Sequence, residues 1–115
     1  MQVTVYHNPR CSKSRATLEL LEQRGVEATV IEYLKTPPDA QTIARLAAGL
    51  NAPPRELLRS GDAAWKALGL DVDEIDETRL FETLAANPAL LQRPIVTAGR
   101  RTRIGRPPES VCEIL

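Results

Sequence analysis

QVTVYHNPRCSKSRATLELLEQRGVEATVIEY, residues 2–33, is the stretch whose reading decides the fold. Val3 and Val5 alternate with Thr4 and Tyr6, the period-two signature of a strand with one face in a core. Asn8-Pro9 marks a turn. Residues 12–24 then carry Ala16, Leu20 and Leu21 at helical spacing, and Gly25 supplies the stop. Ala28-Thr-Val-Ile-Glu-Tyr33 reads as a second strand. Strand–helix–strand in so short a span predicts a parallel pair joined by a crossover helix.

Working outward, Thr36-Pro-Pro-Asp39 has the form of a helix start, with Thr36 as the expected N-cap hydroxyl and proline in the first turn. Ile43, Leu46, Ala47 and Leu50 follow the i, i+3, i+4, i+7 template. From there to about residue 90 the chain reads as short helical pieces, opened by Pro53-Pro54 and anchored by Trp65 and Leu68, then by Leu80, Phe81 and Leu84. Pro94 to Val96 reads as a strand, Ala98-Gly99-Arg100 as a hairpin turn and Arg101 to Ile104 as the return strand. Gly105-Arg-Pro-Pro108 leads into a terminal helix. The order is βα β ααα ββ α, an α/β or α+β arrangement in one domain over residues 1–115, with a helical insert at about 37–90.

A chain of 115 residues suits one core. No apolar run approaches the roughly 18 residues of a membrane helix. Met1-Gln-Val-Thr-Val-Tyr6 lacks the basic and apolar regions of a signal peptide, so a cytoplasmic location is expected. Only two cysteines, Cys11 and Cys112, are present. They are too few for a disulfide framework and read as free thiols. Pro108, Val111, Cys112 and Leu115 share a helical stripe, which places Cys112 in the core.

The formal net charge is zero, but the charges are unevenly spread. Arg10, Lys13 and Arg15 precede the first acid, Glu19. Arg93, Arg100, Arg101, Arg103 and Arg106 lie in the acid-free span between Glu82 and Glu109. Brought together, these segments would form a local anion site; the alternative is a scatter of surface arginines. Four aromatics (Tyr6, Tyr33, Trp65 and Phe81), no stacking cluster and no positive excess argue against nucleic acid.

Cys11 is the expected nucleophile. It lies between a strand and a helix, where unpaired N–H groups and the helix dipole favour a thiolate, and His7, Arg10, Lys13 and Arg15 add positive potential. The alternative is a buried structural cysteine, for which this polar loop is poor material. Cys11-Ser-Lys-Ser14 has dithiol spacing with serine in the second place, so no disulfide can close within it. The loop is not the Cys-x5-Arg phosphatase type either, because position 17 is Thr. With Cys112 in the core, an oxidised Cys11 would need an outside thiol to resolve it. No metal ligand set and no glycine-rich phosphate loop are present.

His7-Asn-Pro-Arg-Cys11-Ser-Lys-Ser14-Arg, Glu32-Tyr-Leu-Lys-Thr-Pro-Pro38, Arg55-Glu-Leu-Leu-Arg59, Arg93-Pro-Ile-Val96 and Gly105-Arg-Pro-Pro-Glu109 occur in this order over nearly the whole chain. Together they resemble the glutaredoxin-coupled arsenate reductase family. The resemblance implies a thioredoxin-like fold: a mixed four-stranded sheet flanked by helices, with a helical insert. By position, Cys11 would attack arsenate held by Arg59, Arg93 and Arg106, with Arg93-Pro94 at the cis-proline position. Guanidinium forks suit such an oxyanion. For Arg59 the alternative is a cation complementing a helix C-terminus. His7 would tune the thiolate by charge or hydrogen bonding, or simply hold the loop. Ser14 would donate its hydroxyl to the thiolate, or cap the helix.

The resemblance further implies that no cofactor is bound. Glutathione is the implied co-substrate that adds to the Cys11–arsenate adduct, and glutaredoxin the partner that removes it before arsenite leaves. Two other activities fit the same residues. One is a thiol transferase or deglutathionylase in which Arg93 and Arg106 grip glutathione carboxylates. The other is a redox-linked regulator that binds RNA polymerase, which the absence of Cys-x-x-Cys disfavours.

Overall fold

The computed structural model describes residues 2–115. Its first strand, β1 (Val3–His7), leads through a short loop into α1 (Ser12–Gln23) and then β2 (Ala28–Glu32). Gly25 ends α1 with φ 71°, a conformation that costs glycine nothing, and its N–H closes on Glu22 O at 3.0 Å. β1 and β2 pair in parallel, as the strand–helix–strand order requires.

The insert follows: α2 (Ala40–Gly49), a 3-10 turn at Pro54–Leu57, α3 (Ala63–Ala67), α4 (Glu77–Ala86) and a 3-10 turn at Pro88–Leu90. Each of its three α-helices starts on an aspartate. Asp39, Asp62 and Asp76 accept from Thr42, Ala64 and Arg79 N–H, each at 2.8 Å. The first of these corrects the expected cap at Thr36. Two consecutive prolines hold the residues before them extended, so the helix begins only after Pro38, and Asp39 takes the cap.

The chain returns through β3 (Ile95–Ala98), a tight turn with Gly99 at φ 60°, and β4 (Arg101–Ile104). Sheet order is β2-β1-β3-β4, with β3 antiparallel to both neighbours. One face packs Val3, Val5, Val96 and Ala98 on Leu21, Val111 and Ile114. The other packs Tyr6 and Ile95 under the insert, where Ile43, Leu57, Trp65, Leu84 and Leu90 complete the larger core. This mixed sheet with a helical insert is the thioredoxin-like arrangement that the resemblance implies.

The terminal segment differs from expectation. Pro108–Ile114 forms a 3-10 helix, and its period of three turns Val111 and Ile114 inward. Cys112 is consequently only partly buried, outside both cores. Among the described residues, no helix is long and apolar enough to cross a membrane.

Gly49 sets how closely the insert lies on the sheet. A Cβ there would collide with the Arg100 carbonyl oxygen and lie 2.7 Å from Thr102 Oγ1. Alanine in place of a helical glycine normally adds stability. Here the collision should reverse the sign, and Gly49→Ala should lower unfolding stability by about 1–3 kcal/mol, the usual cost of overpacking. Urea denaturation checks this, and an unchanged or raised midpoint would contradict it.

Candidate active site

The Cys11 loop is built from local hydrogen bonds. Asn8 Oδ1 accepts from Arg10 N–H at 3.0 Å, and Asn8 O accepts from Cys11 N–H at 3.0 Å. Arg15 folds back and donates to Pro9 O at 2.9 Å. Cys11 therefore arrives extended (φ −95°, ψ 123°) as the N-cap of the twelve-residue α1. Its sulfur faces the open N–H groups of the first helical turn.

Opposing effects act on the thiol. Partial burial is the largest of them and pushes its pKa up. The nearby Ser14 and Lys13 backbone N–H groups and the Arg93 guanidinium together outweigh burial and bring it below the ordinary 9.0. Arg106 Nη2 stands 3.9 Å from Cys11 Sγ, and Arg106 Nε donates to Arg93 O at 3.0 Å. Two guanidinium groups and a helix N-terminus thus converge on one sulfur. The base-rich segments at the two ends of the chain do meet.

Gly105 makes that meeting possible. A side chain there would place Cβ 2.6 Å from Thr17 Oγ1 on α1 and 2.7 Å from Pro94 Cγ. Its N–H donates to Pro94 O at 3.0 Å. Arg93-Pro94 and Arg106-Pro107 are both cis; the first matches expectation, and the second carried no sequence signal.

His7 and Ser14 form a buried pair, with His7 Nδ1 and Ser14 Oγ 2.6 Å apart. Ser14 Oγ also accepts from Asn8 N–H at 3.0 Å. Burial, the largest influence, lowers the His7 pKa; Glu32 raises it and Arg15 lowers it. The imidazole is therefore largely neutral near pH 7, and its Nδ1 shares one hydrogen bond with Ser14 Oγ. The Ser14 hydroxyl is engaged away from the sulfur, and Ser14 meets Cys11 through its backbone N–H instead. His7 acts on the loop's shape rather than as a charge on the thiolate.

Arg59 is held beside the segment that runs into Arg93. Its N–H donates to Leu90 O at 2.8 Å, and Leu58 bridges to Leu91. Its guanidinium pairs with Asp62 at 3.4 Å. Of the three arginines, Arg93 and Arg106 are at the sulfur and Arg59 is paired elsewhere. The contributions of Gly105 and of the Lys13 backbone were not read from sequence. Gly105 beside the Arg-Pro pair was the available signal. Among the described residues, no group of three His, Cys, Asp or Glu side chains converges as a metal site.

Residues 6–114 match the profile of the ArsC family. The chain is 49% identical to the uncharacterized protein YfgD of Escherichia coli, covering 99% of this chain and 97% of that protein. It is 44% identical to an arsenate reductase of Neisseria meningitidis, covering 99% and 98%. Among solved structures, an arsenate reductase from Vibrio cholerae superposes with a TM-score of 0.91 at 44% identity, over 100% of this chain and 98% of that one.

Since the thiolate is the reactive form, alkylation of Cys11 by iodoacetamide should rise with pH to a midpoint below 9.0. Arg93→Gln removes a guanidinium charge that favours the thiolate, so it should move that midpoint upward. A midpoint that stays put in the variant would deny Arg93 this role.

Proposed function

This chain belongs to the ArsC family, and from that premise we propose that it reduces arsenate to arsenite with Cys11 as nucleophile. The observation that carries the reading is the convergence of Arg93, Arg106 and the α1 N-terminus on the Cys11 sulfur. A thiolate alone would repel an arsenate dianion. Two guanidinium groups offer it forked donors and lower that repulsion. Arg59 is the third arginine of this reading, and it reaches the oxyanion by exchanging Asp62 for substrate.

In the first step Cys11 Sγ attacks arsenic, an S–As bond forms and an arsenate oxygen leaves as water after protonation. Arsenic stays at the +5 state. Glutathione then condenses on the same arsenic with loss of a second water. A glutaredoxin thiolate attacks the glutathionyl sulfur, an S–S bond forms and the S–As electron pair remains on arsenic, now at +3. Hydrolysis of the Cys11–As bond releases arsenite and restores the thiol. The open Cys-x-x-Ser loop supports the use of outside thiols, since Cys11 has no neighbour to form a disulfide with. His7, Ser14 and Asn8 hold the loop through this cycle. The chain binds no cofactor in this reading, glutathione is a co-substrate, and a reducing cytoplasm suits the free thiols.

Purified protein supplied with arsenate, glutathione and glutaredoxin should form arsenite, and Cys11→Ser should lower kcat by roughly a thousandfold or more. Equal rates for the two proteins would sink the assignment. Replacing Arg106 by Gln should raise KM for arsenate about tenfold or more, as loss of a charge-assisted contact does. An unchanged kcat/KM in that variant would remove Arg106 from the oxyanion site.

A further inference from the structure

A second cavity, of about 480 Å³, lies on the opposite face of the sheet from α1, between α2 and strands β1, β3 and β4. That volume is within the usual range for a small-molecule site. Its floor breaks the pattern of the face it occupies. Thr4, Thr97 and Thr102 stand side by side in register across three strands. On a sheet face buried under helices, such positions are normally apolar. Thr97 and Thr102 line the cavity with the ring of Tyr6.

Two of these groups are nine-tenths buried and unpartnered. Thr102 is 3% exposed and Tyr6 8%. Among the described residues, neither hydroxyl has a hydrogen-bond partner, and both belong to side chains that line the cavity wall. Their oxygens are open to the cavity rather than sealed in the core, so both hydroxyls are free to donate to a bound group. Gly49 keeps Thr102 Oγ1 reachable by leaving its own side free of a Cβ.

The rim is basic. Arg45 from α2 and Arg100 from the β3–β4 turn both line the cavity, and none of its lining residues is acidic. Arg45 donates to Thr42 Oγ1 at 3.2 Å and lies near enough to Tyr6 to lower its pKa against the larger, opposite effect of burial. Arg45 also lies near enough to Asp39 to lower its pKa slightly, after the larger effect of the Thr42 hydrogen bonds. Its carboxylate caps α2 through Thr42 N–H, and among the described residues it forms no ion pair with Arg45. Leu46 and the Tyr6 ring give the cavity an apolar wall between the polar groups.

We propose that this cavity binds a compact organic dianion, with Arg45 and Arg100 holding its oxyanion charge and the Tyr6 and Thr102 hydroxyls donating to it. Two arginines call for about two negative charges, and the forked geometry accepts carboxylate and phosphate alike. The apolar wall selects a ligand with a short carbon body over a bare inorganic ion. The site is separate from the Cys11 centre. Tyr6 and His7 are consecutive on β1 and face opposite sides of the sheet, so one strand forms part of both.

The test is a titration of the 15N-labelled reduced protein with succinate and, separately, with glycerol phosphate, followed by amide shifts. At least one probe should give saturable shifts at Gly49, Gly99, Arg100 and Thr102, and the one that does identifies the anion as carboxylate or phosphomonoester. The double variant Arg45→Gln/Arg100→Gln changes two exposed side chains. It should weaken that binding about tenfold or more while leaving iodoacetamide reactivity of Cys11 unchanged. Shifts confined to the Cys11 loop, no saturation by about 10 mM, beyond the millimolar range of a weak specific site, or equal affinity in the double variant would each overturn the proposal.

Discussion

The site depends on one close approach, that of Gly105 to Pro94 and Thr17. Three segments far apart in the chain meet there: the first helix, the start of β3 and the end of β4. A single methyl group would lie 2.6 Å from Thr17 Oγ1 and 2.7 Å from Pro94 Cγ, inside any real contact distance. Because the backbone comes in bare, the residues on either side, Arg93 and Arg106, are carried to the mouth of α1. The link from Arg106 Nε to Arg93 O ties the two arginine segments to each other. Interiors are packed densely enough that such an approach has few alternative solutions.

What this closeness achieves is electrostatic. Burial alone would keep the Cys11 thiol protonated. Backbone N–H groups of the first helical turn and the Arg93 guanidinium act against it and bring the thiol's pKa below its ordinary 9.0. The histidine next to the loop takes no part as a charge, since its burial keeps it neutral and the Ser14 hydroxyl occupies its Nδ1. Positive potential therefore comes from the helix end and the guanidinium groups of Arg93 and Arg106. An oxyanion arriving at this sulfur meets fixed donors rather than a protonation equilibrium.

The two faces of the sheet divide the molecule's tasks. The α1 face has an apolar centre of Val3, Val5, Val96 and Ala98, with Arg101 and Arg103 at its β4 edge and the Cys11 loop at its end. The insert face is mostly core, built around Ile43, Leu57, Trp65 and Leu84, yet it carries threonines at successive strands beneath α2. Polar residues retained under a helix are costly unless satisfied, and here Thr97 and Thr102 open onto the second cavity.

Local chemistry made much of this readable from the residues. The alternation of Val3 and Val5, the helical spacing that ends at Gly25, and the turn at Gly99 each depend only on neighbours in the chain, and each stands as read. Cys11 at a helix start was equally legible, since an N-cap position is a local property. Readings that required knowing what lies across space fared differently. The Ser14 hydroxyl turned to His7 because the loop buried both, Arg59 found Asp62, and a 3-10 rather than α period left Cys112 outside the core. The sequence by itself determined most of the elements, their order and the place of Cys11 at a helix start, because those follow from backbone preferences and spacing. Only the tertiary structure decided which arginines face the sulfur, because a side chain's partner is set by packing between segments some 80 to 95 residues apart.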